Sequence, residues 1–153
     1  MISGDYNFRT VDLLMNKRKA NKGDMVAGLT KVLKIYRSNG FNVIQVSADN
    51  EFECVREAIS PTFLNITATN EHVSEVERSI RTIKERARYQ LSNLPYKYYP
   101  RMLAVGAVIF TVKSLNAECG VSKLSEELSP MTLITGIDTL SYNELMELSF
   151  GVL

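Results

Sequence analysis

Apolar residues along this chain recur in two rhythms, and the switches between them mark out the elements. Residues 8–14 are rich in β-branched and apolar types and give way to the polar, basic stretch 16–23, which predicts a strand and then a loop. Asp24 offers an N-cap. Val26, Leu29, Leu33 and Tyr36 then repeat at helical spacing, with Lys31, Lys34 and Arg37 offset from them and Gly40 as the stop. That is an amphipathic helix. FNVIQVS at 41–47 predicts another strand, so the order becomes β-α-β and the expected class is α/β with parallel pairing. Residues 51–59 predict a short helix closed by Ser60-Pro61, and FLNIT at 63–67 a further strand.

A long helix is expected next. Val73, Val76, Ile80, Ile83, Ala87 and Leu91 step by three and four and predict a buried face, while Glu77, Arg81, Lys84 and Arg88 line another side. Pro95 ends it, and after the loop 95–100 residues 101–116 predict a mostly buried helix. The tail from Ser125, with SPMTLITG and NELMELSFG, is too irregular to assign. One globular unit is expected, with its core over 1–118 and an irregular extension over 119–153.

Charge changes this picture more than composition does. The chain has 153 residues, 45% of them hydrophobic, enough for a real core, and a formal charge of only +1. That average conceals four alternating blocks: 1–46 carry +5, 47–72 carry −4, 73–101 carry +4 and 102–153 carry −4. Segregated positive surface attracts phosphate even when the total is near neutral, because the field acts over about a Debye length. Charge alone favours the plainer reading of a solvated basic helix. Cys54 and Cys119 stand far apart without a CxxC pattern, which points to two free thiols. The longest apolar run, 102–112, stops at Lys113, too short for a membrane span. With no signal-type start, a soluble intracellular protein, nuclear or cytoplasmic, is expected. No nucleophile elbow, P-loop or Cys/His pairing is visible, so other hydrolase chemistries are disfavoured.

Two carboxylates stand where α/β proteins place ligands. Asp49 follows a strand at its carboxyl end, and Glu77 lies on the polar side of the following long helix. Carboxylates so placed can converge on hard divalent cations, and a pair of such metals can activate a hydroxyl and stabilise the leaving oxygen of a phosphodiester. Arg81, Lys84 and Arg88 would hold the nucleic-acid backbone beside them. A plainer reading stays open: Glu77 and Arg81 form an i, i+4 pair of the kind that stabilises any exposed helix, and Asp49-Asn50 serve as turn residues. His72 has no second metal-type ligand at useful spacing and is expected to cap or sit at the surface.

VSADNEFE at 46–53 followed by NEHVSEVERSIRTIKERAR at 70–88 resembles the integrase catalytic core of copia-type retrotransposons. The second metal ligand of that family is an Asp in a D-G-E-F-like motif, here at Asp49. The third is the Glu of a V-A-E-R-x-x-R-T-like helix, which Val76-Glu77-Arg78 with Arg81-Thr82 matches. TVDLLMNKRK and AGLTKVLKIYRSNGFNV upstream, and NLPYK and LSPMTLITG downstream, extend the resemblance over nearly the whole chain. Asn50 stands where the family has Gly, and the interval from Asp49 to Glu77 is shorter than the family usually shows. The resemblance implies an RNase H-like mixed sheet flanked by helices. It also implies catalytic Asp49 and Glu77 bound to Mg²⁺ or Mn²⁺, DNA as partner, and Arg78, Arg81 and Lys84 near that DNA. Glu75, two residues before Glu77, is the rival carboxylate on another side of the helix.

The family's first catalytic Asp lies upstream of the segment that 1–14 resembles, and neither Asp5 nor Asp12 occupies its motif position. The resemblance therefore implies a sheet incomplete at its N-terminal strand and an active site short of one ligand, with little or no catalysis by this chain alone. Exposed strand edges would favour homodimerisation. Two further readings remain open: a nucleic-acid-binding module that uses Arg78, Arg81, Lys84 and Arg88 without metal, and a vestigial or protein-interaction fold.

Overall fold

The computed structural model describes residues 1–13, 21–67 and 74–137. His72, Val73 and the NELMELSFG tail lie outside the described residues. The chain forms two compact units, one of residues 12–72 and one that joins 1–11 to 73–153.

In the unit of residues 12–72, helix α1 spans Lys22–Ser38. Its N-cap is Asn21 rather than Asp24: the Asn21 side chain accepts from the Gly23 N–H at 3.3 Å, and Asp24 instead places a negative charge in the first turn. Met25, Leu29, Val32, Leu33 and Tyr36 are its buried residues, as the spacing predicts. The helix stops at Gly40, whose φ of +83° is the left-handed conformation glycine adopts without steric cost. Phe41 then packs edge-to-face on Tyr36, with ring centroids 6.2 Å apart.

Strand β1 (Gln45–Ala48) pairs in parallel with strand β2 (Phe63–Ile66), with Gln45 opposite Phe63 and Ala48 opposite Ile66. A helix over Asn50–Ile59 connects them, and it is a 3₁₀ helix. Three residues per turn stack Phe52 over Val55 and Glu53 over Arg56, so one side is apolar and another holds an ion pair at 2.6 Å. Arg56 also donates to the Leu64 carbonyl at 2.9 Å, tying the connection to β2. Met25, Leu29, Leu33, Val46, Val55, Ile59 and Leu64 form one buried cluster between α1, the connection and the two strands.

Residues 8–13, the described part of the expected first strand, do not form it. Among the described residues of that segment there is one isolated antiparallel bridge, Ile2 to Arg9, and the parallel pair is made by β1 and β2 instead. The physical reason is a distant partner: the Arg9 backbone is taken up by a side chain. Asn116 Oδ1 accepts from the Arg9 N–H at 2.8 Å, and Asn116 Nδ2 donates to the Arg9 carbonyl at 2.7 Å. One amide thus replaces a neighbouring strand.

That clasp belongs to the second unit, whose helices are α2 (Ser74–Ser92), α3 (Arg101–Ala117) and α4 (Pro130–Thr135). Helices α2 and α3 pack as a hairpin, with Thr111 Oγ1 3.2 Å from Gln90 Oε1 across their interface. Helix α3 buries chiefly its C-terminal half, including Thr111, Val112, Leu115 and Asn116. The short α4 lies within SPMTLITG, where Ser129 caps the Thr132 N–H, Pro130 fits the first turn and Gly136 closes the end. The helices of both units and the parallel strand pair of the residue 12–72 unit place the chain in the mixed helix-and-parallel-sheet class. Among the described residues, no helix is long and apolar enough to cross a membrane.

Candidate nucleic-acid interface

Helix α2 carries most of the residues the sequence singles out, and its buried side matches the apolar spacing only in part. Ala87 is buried as that spacing predicts and Ile83 and Leu91 are half-buried, but Val76 and Ile80 are 37% and 45% exposed, and Ser79, outside the apolar series, is buried. Small side chains allow the close approach, and Ser79 Oγ accepts from Nε of the buried Arg9 at 3.0 Å. Burial holds the Arg9 guanidinium below its ordinary pKa, an effect that Arg86 reinforces and Glu118 opposes.

With that side turned inward, Glu77, Arg81, Lys84 and Arg88 come together on the exposed side. They line an open depression of about 340 Å³ with Ile80 and Glu85. Arg78 is exposed on the same helix but outside the depression. None of Arg78, Arg81, Lys84 and Arg88 makes an ion pair among the described residues, so the i, i+4 pairing of Arg81 with Glu77 is not formed. The contrast with Arg86 is informative. That arginine, on the same helix, is engaged with Glu118 at 2.8 Å. Spacing alone does not separate engaged cations from available ones.

The rival carboxylate is also engaged. Glu75 Oε1 accepts from Lys123 Nζ at 3.0 Å, with Asp5 4.0 Å from the same ammonium. The hydrogen bond to Glu75 holds the Lys123 ammonium above its ordinary pKa. The stabilisation linked to this raised value is therefore present below the unfolded lysine pKa and lost as pH rises through the folded one. Glu75→Gln is expected to return the Lys123 ¹⁵Nζ titration to the ordinary lysine range; an unchanged midpoint would refute the pairing.

Asp49 stands in the other unit, at the carboxyl end of β1, where the sequence places it. It occupies the N-cap position of the 3₁₀ helix, yet its side chain makes no capping hydrogen bond; its backbone carbonyl accepts from the Phe52 N–H at 2.9 Å. The carboxylate is exposed. The turn-residue role thus uses the backbone of Asp49 and leaves its carboxylate oxygens outside the cap. Among the described residues, no three His, Cys, Asp or Glu side chains gather as a metal site. Cys54 and Cys119 are free and exposed.

No protein-family model, curated protein or solved structure matches the chain.

Proposed function

We propose that the chain is an RNase H-like protein of the copia-type integrase kind that binds DNA through the exposed side of α2. The observation that carries this reading is the set of cations on that side, Arg78, Arg81, Lys84 and Arg88, which make no ion pair among the described residues while their neighbour Arg86 does. Guanidinium and ammonium groups bind a phosphate backbone by charge-assisted hydrogen bonds. Val76 and Ile80 between them offer apolar contact to sugars. In this reading Asp49 and Glu77 are the candidate catalytic and metal-binding residues. Their carboxylate oxygens suit Mg²⁺ or Mn²⁺, which would supply Lewis-acid activation of a phosphodiester.

The test is fluorescence anisotropy with a short labelled duplex over a range of salt. About three or four phosphate contacts give a slope of log K against log salt of roughly −3, and Arg81→Glu with Lys84→Glu is expected to weaken binding by at least about tenfold and flatten that slope by roughly two. Binding that is independent of salt, or indifferent to the double reversal, would refute this role for α2.

Metal-independent binding is a second reading, favoured by the four cations of α2 that make no ion pair among the described residues and need no metal to hold phosphate. Chelator, Asp49→Asn and Glu77→Gln all leave duplex affinity unchanged if it holds. Mn²⁺-dependent nicking or strand transfer that disappears in Glu77→Gln would exclude it and support the integrase reading.

A further inference from the structure

The end of the hairpin where α2 passes into α3 carries an unusual surface. Tyr89 in the last turn of α2 and Tyr96, Tyr98 and Tyr99 in the connection are 69%, 58%, 85% and 44% exposed. A tyrosine ring left in water forgoes a large hydrophobic burial, and four within one turn-and-loop are not the scattered apolar residues that any surface shows. None of these rings pairs with another aromatic ring among the described residues. Cations alternate with them: Lys97 lies between Tyr96 and Tyr98, and Arg101 follows Tyr99-Pro100 at the start of α3. Both cations are exposed, and neither makes an ion pair among the described residues.

We infer that this tip binds unpaired nucleotides, with the tyrosine rings stacking on bases and Lys97 and Arg101 holding the intervening phosphates. Two features select this occupant. Flat rings stack on any base face, but only where the base is not already stacked and paired within a duplex. Alternation of ring and cation along the connection suits the alternation of base and phosphate along a single strand, whereas a protein partner would place no premium on interleaved positive charge. The inference rests on the reading of α2 as a nucleic-acid-facing helix and narrows it. Arg88, one residue before Tyr89, belongs to the α2 array, so a duplex held along α2 would reach its unpaired end at the tyrosines.

Labelled oligo(dT), oligo(U) and a blunt duplex, titrated at low salt, test it with the full chain. Tyr96→Ala with Tyr98→Ala is expected to weaken oligo(dT) by about tenfold or more and the duplex by less than about twofold. Tyr96→Phe with Tyr98→Phe retains affinity, because the ring and not the hydroxyl stacks. Circular dichroism and melting of the alanine variant should match the parent, since both side chains are exposed. Equal binding of oligo(U) identifies the ligand as unpaired bases on either sugar, and a preference for oligo(dT) narrows it to DNA; both support the inference. Duplex binding that depends on Arg81 and Lys84, with oligo(dT) binding absent or unaffected by the tyrosines, overturns this inference and leaves the α2 reading standing. Tyrosine-dependent oligo(dT) binding that ignores Arg81 and Lys84 does the reverse. Self-association abolished by the alanine variant, with no oligonucleotide bound, overturns the inference in favour of a protein contact.

Discussion

Replacing Asn116 with leucine is expected to cost the second unit about 3–5 kcal/mol, since two buried backbone groups each lose a partner worth roughly 1–3 kcal/mol when left unsatisfied. Leucine keeps the branched skeleton of four side-chain heavy atoms and is bulkier than the amide, so the change removes the hydrogen bonds without opening a cavity. The Arg9 N–H and carbonyl, now held at 2.8 and 2.7 Å, would have neither a strand nor water to turn to. Asn116→Asp separates the two bonds: it keeps an acceptor for the N–H but sets a carboxylate against the Arg9 carbonyl, so it too should destabilise. Urea unfolding followed by circular dichroism measures both. A loss below about 1 kcal/mol for leucine would show that the clasp is solvated or replaceable.

The other large effect lies in the residue 12–72 unit. Leu64 is 1% exposed at the centre of β2 and belongs to the cluster of Met25, Leu29, Leu33, Val46, Val55 and Ile59. Leu64→Ala should lower stability by about 2–5 kcal/mol, the loss of transfer free energy plus the cavity left behind. A sheet of two short strands has few other contacts with which to close such a cavity. Amide hydrogen exchange adds spatial detail: protection should fall across α1, β1 and β2. Unaltered protection in α1 would mean that the helix does not depend on this core.

The outcome of the sequence reading depends on which forces set each element. Helices α1, α2 and α3 and strands β1 and β2 follow from apolar spacing and from the Gly and Pro signals at their ends, because those forces are local. Residues 8–14 mislead for the opposite reason. Their β-branched composition suits a strand, but the partner that Arg9 finds is an amide side chain far along the chain, which no local pattern announces. On α2 the apolar period predicts the burial of Ala87, which the structure shows, and of Val76 and Ile80, which it leaves exposed while burying Ser79. Periodicity weighs apolarity, whereas close packing and the bond to Arg9 select small size and a hydroxyl. The cations at Arg81, Lys84 and Arg88 were legible as one stripe; that Arg86 is engaged and they are not depends on Glu118, a residue of another segment. Tyr96, Lys97, Tyr98 and Tyr99 could have been noticed as an alternation of rings and charge, but only their exposure distinguishes a surface from a core.

The Arg9–Asn116 clasp has a consequence for the order of events during synthesis. Its two halves are 107 positions apart, and the intervening chain includes the whole of the residue 12–72 unit. On a ribosome, residues 1–11 emerge well before α3, which holds the other half of the clasp. The continuous unit can assemble meanwhile from near neighbours, while residues 1–11 are captured late. Nascent chains arrested before and after Asn116 has emerged should therefore differ sharply in the protease sensitivity of residues 1–11.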